Sequence, residues 1–138
     1  MNTETVGEAF AEFLTSSIDL QSDEGFYLGE LPLEAPNSSW WVIVTGGSPD
    51  LVTIDGGMVK LYTFNIFYRS LSGKEIERRL FRLEELLNCS SCVNLTGFET
   101  IYSRATQFAQ DIDFDNEQRR IGLVQAQVRL FKQNTQIS

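Results

Sequence analysis

Apolar residues along this chain follow two different periods, and the change from one to the other marks out its elements. From Met58 to Arg69 the run MVKLYTFNIFYR alternates between two faces, with Met58, Lys60, Tyr62, Phe64, Ile66 and Tyr68 on one and Val59, Leu61, Thr63, Asn65, Phe67 and Arg69 on the other. Its β-branched and aromatic residues, uninterrupted by proline, predict a strand. Both faces are largely apolar, the pattern of a strand covered on both sides and therefore central in its sheet. After the turn SLSG the period lengthens: Ile76, Leu80, Leu83 and Leu87 recur at spacings of four and three, the single core-facing stripe of a helix. Ser72-Gly73-Lys74-Glu75 predicts a capping box at its start, the Ser72 hydroxyl accepting from the Glu75 amide and the Glu75 carboxylate from the Ser72 amide. Glu75, Arg78, Arg79, Arg82 and Glu85 fall mostly on other faces and predict a solvated surface with intrahelical ion pairs.

The remaining segments are read in the same way. Residues 3–18 predict a helix with Val6, Phe10, Phe13, Leu14 and Ile18 as its apolar stripe, Thr3 or Thr5 as N-cap, and acidic residues in its first turns. Asp19 to Ser39 is broken by Asp, Ser, Gly and Pro and reads as a long connection, pinned to the core by Phe26 or Leu28. Trp40–Thr45 predicts a short strand ended by Gly46-Gly47-Ser48-Pro49-Asp50. A second short run, Leu51–Ile54, leads into Asp55-Gly56, a hairpin signal ahead of the Met58 strand. Cys89–Thr96 reads as a loop. Phe98 to about Ile112 reads as helical or extended, with a strand favoured that pairs in a hairpin with the last one, Arg119 to about Lys132. In that last strand Gly122, Val124, Ala126, Val128 and Leu130 share one face, with Gln125, Gln127 and Arg129 opposite. The expectation is one domain over residues 1–138, α+β in class. Its order is α-β-β-β-α-β-β, with two helices packed on a mainly antiparallel or mixed sheet of four to five strands.

Composition narrows the function classes. A chain of 138 residues can bury a core without metal or disulfides. A net charge of −8 with 11 basic residues argues against nucleic-acid binding, because phosphate contacts need clustered Lys and Arg. No window reaches the roughly 20 apolar residues of a membrane helix, and no secretory signal pattern opens the chain, so a cytoplasmic site of synthesis is expected. On that expectation the Asn37, Asn88 and Asn94 glycosylation triplets carry no weight.

Chemistry is sparse. The chain has no histidine, which removes the commonest general base and zinc ligand. Cys89-Ser90-Ser91-Cys92 supplies two thiols with nothing to complete a four-ligand metal site, and it follows a helix instead of starting one, where the dipole would lower a thiol pKa. Two small buried or loop cysteines are the plainer reading. Thr45–Asp50 matches neither a P-loop nor a dinucleotide fingerprint. The acidic cluster Asp111, Asp113, Asp115 and Glu117 lacks the glycine and distant glutamate of a calcium loop. No catalytic, cofactor-binding or metal-binding residue is assigned, and no enzyme activity is expected. The adjacent Trp40 and Trp41 must point to opposite faces of their strand, which leaves one indole for the core and the other for the outside or an interface.

The run Ile54-Asp55-Gly56-Gly57, then Phe64-Asn65-Ile66-Phe67-Tyr68-Arg69-Ser70, then a helix ending Leu83-Glu84-Glu85-Leu86-Leu87-Asn88, resembles the small minor capsid or tail-terminator proteins of long-tailed bacteriophages. The likeness extends over about residues 1–132 in layout and over 54–88 in wording. It implies a non-enzymatic structural protein of the virion tail, assembled in the host bacterial cytoplasm. Such subunits form a ring, typically of six, that ends the tail tube and meets the head connector. Trp40, Trp41, Phe26, Asp50 and Asp55 are candidates for the oligomer or partner interface. The acidic charge, with Asp50 and Asp55 as named positions, suits a lumen through which DNA passes without sticking. The alternative is a small cytoplasmic binding module of adaptor or immunity type, which shares the acidic, histidine-free character.

Overall fold

Both periods reappear in the computed structural model of the chain, which describes residues 5–52, 58–107, 113–114 and 119–132. The elements in order are helix α1 (Val6–Ser17), strands β1 (Gly25–Leu28), β2 (Ser39–Val52) and β3 (Met58–Ser70), helix α2 (Gly73–Leu87) and a 3-10 turn (Ser90–Cys92). Strands β4 (Phe98–Gln107), β5 (Asp113–Phe114) and β6 (Arg120–Lys132) follow. The α+β class and the order α-β-β-β-α-β-β are those expected, with the two-residue β5 in addition. One mixed sheet runs β1-β2-β3-β6-β4, and β5 pairs with the start of β6. β1 and β2 are parallel; every other pairing is antiparallel.

The first strands are distributed differently from the sequence reading. Gly25–Leu28, the apolar island of the long connection, is itself a strand against Ser39–Val42. The run 40–45 and the described part of the run 51–54 are one strand, through Val52. Gly46-Gly47 and Pro49 do not end it: the glycines fall in a register shift between Thr45 and Ser48, and Pro49 stays paired with Lys60 just before a second shift, between Pro49 and Leu51. β2 and β3 pair antiparallel as the Asp55-Gly56 signal requires, although 53–57 lie outside the described residues.

Both helices lie on one face of this sheet. Phe10 of α1 stacks on Phe64 at 3.8 Å between ring centroids, and α2 presses Ile76 and Leu80 onto Gly122. A Cβ at position 122 would stand 2.7 Å from Ile76 Cγ2 and closer still to Leu80 Cδ1, so the absence of a side chain sets the helix-to-sheet distance. The buried core gathers Trp40, Val42, Phe64, Ile66, Tyr68, Val124, Ala126 and Val128 under Phe10, Leu14, Leu80 and Leu83. The alternation expected in β6 holds: Gly122, Val124, Ala126, Val128 and Leu130 are buried in turn.

Helix ends follow local chemistry. Thr5 caps α1 in a reciprocal box with Glu8. At α2 only half of the expected box forms. Ser72 accepts from the Glu75 amide, but the Glu75 carboxylate turns to Arg78, and the Ser72 amide donates to Ser70. None of the described helices is long and apolar enough to cross a membrane.

Candidate functional site

β3 is the central strand, and the expectation that both of its faces are covered holds in part: among the described residues the helices shield only the Phe64 face, while on the other Val59 is buried and Arg69 is enclosed by the Ala35–Asn37 carbonyls. The other face of the sheet carries a row that runs Tyr27, Trp41, Phe67, Leu123 across four adjacent strands. All four are half-buried by their neighbours, and Trp41 lies on Phe67 at 5.0 Å with planes 9° apart. Such offset stacks persist where flat apolar surface gains by staying out of water. Beside this row Ile43 is 43% exposed, and Asn65 pairs with Gln125 at 3.0 Å. Further along, Arg104 meets Gln127, and the Arg129 guanidinium lies over the Tyr102 ring. The open face is therefore an aromatic row bordered by a polar ladder, the composition of an interface core beside its rim.

The two sheet edges differ. Along the outer side of β4, Asn88 donates to the Ala105 carbonyl at 3.1 Å and accepts from the Ala105 amide at 2.9 Å. Ser90 does the same for Ser103, donating to its carbonyl at 3.2 Å and accepting from its amide at 2.9 Å. The Ser103 hydroxyl in turn donates to the Leu87 carbonyl. Two side chains from the end of α2 thus satisfy the backbone groups that a further strand would use, which blunts the edge. On the opposite side β1 covers β2 only as far as Val42, and among the described residues no strand pairs with the outer side of β2 beyond it.

The predicted interface residues separate. Trp41 lies on the open face, as one of two adjacent indoles must. Trp40 points the other way, is fully enclosed, and packs on Tyr68 at 4.3 Å, so it offers no surface to a partner. Phe26 is half-buried and packs against the core. Asp50 sits in β2 at the second register shift, with its side chain outside the described residues, and Asp55 lies outside them altogether. Asp111, Asp115 and Glu117 are likewise outside. No metal-holding cluster of acidic, Cys or His side chains occurs among the described residues.

One polar site was not foreseen. Arg79, expected on a solvated helix face, is buried and forms a bidentate pair with Glu24, both distances 2.9 Å. Tyr68 donates to the same carboxylate at 2.9 Å, and the guanidinium stands over the Trp40 and Tyr68 rings at 5.3 and 5.5 Å. Burial raises the Glu24 carboxyl pKa, but hydrogen bonds from the Gln21 amide, Arg79 and Tyr68, with the Arg79 charge, leave it below its ordinary value. Burial, the hydrogen bond to Glu24 and the charge of that carboxylate push the Tyr68 phenol up to about 12. The signal for Arg79 was present in the spacing: it stands three residues after Ile76 and four before Leu83, on the core stripe itself. Glu24 carried no such signal.

Cys89 and Cys92 form a disulfide across the 3-10 turn that carries Ser90. A cavity of about 390 Å³ lies between that turn and the start of β4, lined by Ser90, Val93, Leu95, Phe98 and Thr100 among others. A smaller one of about 120 Å³ lies over Trp40 and Arg79 between the end of α1 and α2. A scan against protein-family models and a search of curated proteins each found no match to this chain.

Proposed function

We propose that this protein is a structural subunit that assembles with copies of itself into a closed ring. The ring would end a phage tail tube and join it to the head connector, the role implied by the resemblance of residues 54–88. The observation that carries the reading is the half-open central strand. β3 is apolar on both faces, yet among the described residues the helices cover only one, and the other, buried at Val59 and Arg69, holds the half-buried stack of Trp41 and Phe67. A surface of this kind gains by burial against another subunit. The unlike edges favour a head-to-tail contact, the kind that forms a ring when its rotation closes, over edge-to-edge pairing of like strands. A net charge of −8 suits a lumen that DNA must traverse without adhering.

Native mass spectrometry and analytical ultracentrifugation of the full chain test this reading. A closed oligomer, with about six subunits from the resemblance, is the expected species, and Trp41→Ser should dissociate it into folded monomers by removing the centre of the apolar row. A chain that stays monomeric at high concentration overturns the ring and leaves the adaptor-type binding module as the better account.

A further inference from the structure

The turn after α2 joins a disulfide bond to a strand edge. Cys92 is exposed and Cys89 half-buried, so the pair lies at the surface. Between them Ser90 makes both hydrogen bonds to Ser103. Apart from the disulfide, the turn is held by the Cys89 amide donating to Leu86 at 3.2 Å, the Cys92 amide donating to the Cys89 carbonyl at 2.9 Å, a long bond of 3.4 Å from Val93 to Ser90, and the Asn94 and Thr100 side chains donating to the Cys92 and Val93 carbonyls at 3.4 and 2.7 Å. The neighbouring cavity leaves it room to rearrange. Asn88 differs in kind. It belongs to the C-cap of α2, and its grip on Ala105 does not pass through the disulfide ring.

We propose that Cys89–Cys92 is a thiol–disulfide exchange site whose state clamps or frees the outer edge of β4 at Ser103. The co-reactant is a small dithiol. Its thiolate attacks the sulfur of Cys92, the Cys89–Cys92 bond breaks, and Cys89 leaves as a thiolate that takes up a proton. The second thiol of the reductant then attacks the mixed disulfide and releases Cys92, so that two electrons and two protons pass to the pair and the dithiol becomes a cyclic disulfide. Because the bond spans only three positions of chain, it constrains the unfolded state little, and the fold survives its loss. What is lost is the order of the turn: Ser90 no longer holds Ser103, whose amide and carbonyl become available to an extended backbone. This inference does not depend on ring formation.

The test compares the full chain oxidised and treated with dithiothreitol, with iodoacetamide mass shifts counting the thiols and amide hydrogen exchange read by NMR. Reduction should proceed in the folded protein and raise Ser103 exchange by about tenfold or more, while Ala105, held by Asn88, and Ala126 of β6 stay unchanged. The double variant Cys89→Ser, Cys92→Ser should match the reduced protein. Ser90→Ala should raise Ser103 exchange even when the disulfide is intact. Equal Ser103 exchange in both states overturns the proposal. So does a parallel rise at Ala105 and Ala126, a bond that dithiothreitol reaches only after unfolding, or a pair that oxidised glutathione cannot close.

Discussion

Arg79 and Glu24, 55 positions apart, meet as a bidentate pair beneath the end of α1, with the Tyr68 hydroxyl on the same carboxylate. Removing either partner of a buried ion pair strands the other charge, and the Tyr68 hydroxyl and Gln21 amide on Glu24 and the Asp19 carbonyl on Arg79 repay only part of its desolvation. Glu24→Gln and Arg79→Met should therefore each cost about 3–5 kcal/mol, as either leaves a charge without its counterpart. The double variant should cost clearly less than the sum, since no charge is then stranded. Urea midpoints for the four proteins of this cycle give the result; additive losses would mean that the two side chains act separately.

The same site sets two pH limits. The folded Glu24 carboxyl titrates below its ordinary value of 4.5, so its contribution is complete above that value and is lost as pH falls through the folded one. Tyr68 is shifted the other way, from 10 up to about 12. Its contribution is complete below 10 and disappears as pH rises towards about 12, because the unfolded phenol ionises first. Stability measured against pH should show both limbs. Glu24→Gln should flatten the acid limb and Tyr68→Phe the alkaline one; if either limb keeps its slope in its variant, other groups govern it.

Asn88 should matter beyond its own hydrogen bonds. It satisfies both backbone groups of Ala105, and a strand edge without such a guard pairs with other chains. Asn88→Ala is expected to cost about 1–3 kcal/mol for the stranded groups and to raise aggregation on warming, followed by light scattering. Asn88→Asp keeps the acceptor for the Ala105 amide but loses the donor, and it should fall between the two.

The parts of the fold legible in the sequence were those whose signal is local. β3 and α2 announce themselves by period alone, and so do the buried residues of β6. β1 did not, because four residues in a Gly- and Pro-rich stretch carry no period, and a parallel pairing leaves no hairpin signal. β2 read as two strands because Gly46-Gly47 and Pro49 usually end one. Proline is tolerated where a strand needs no donor, and glycine where a bulge bends it. Of the candidate interface, the opposite fates of Trp40 and Trp41 followed from their adjacency. Which of them faces the core was decided by Tyr68 and Arg79, and the Asn88 and Ser90 clamps depend on a strand that the sequence placed without an edge.

Gly122 offers the most direct test of how α2 sits on the sheet. Any Cβ there collides with Ile76 and Leu80, which are fully buried and have nowhere to withdraw. Gly122→Ala should destabilise by about 1–3 kcal/mol through overpacking, and Gly122→Val by more, because its branches extend further into the same helix. Leu80→Ala alone should cost about 2–5 kcal/mol for the cavity it leaves. The two changes oppose one another, since the methyl group added at 122 enters the space vacated at 80. The double variant Gly122→Ala, Leu80→Ala should therefore lose less than the sum of the single changes, by an interaction energy of about 0.5–3 kcal/mol in denaturant midpoints. Strict additivity would place α2 elsewhere than over β6, and the registration of helix on sheet derived from Gly122 would fail with it.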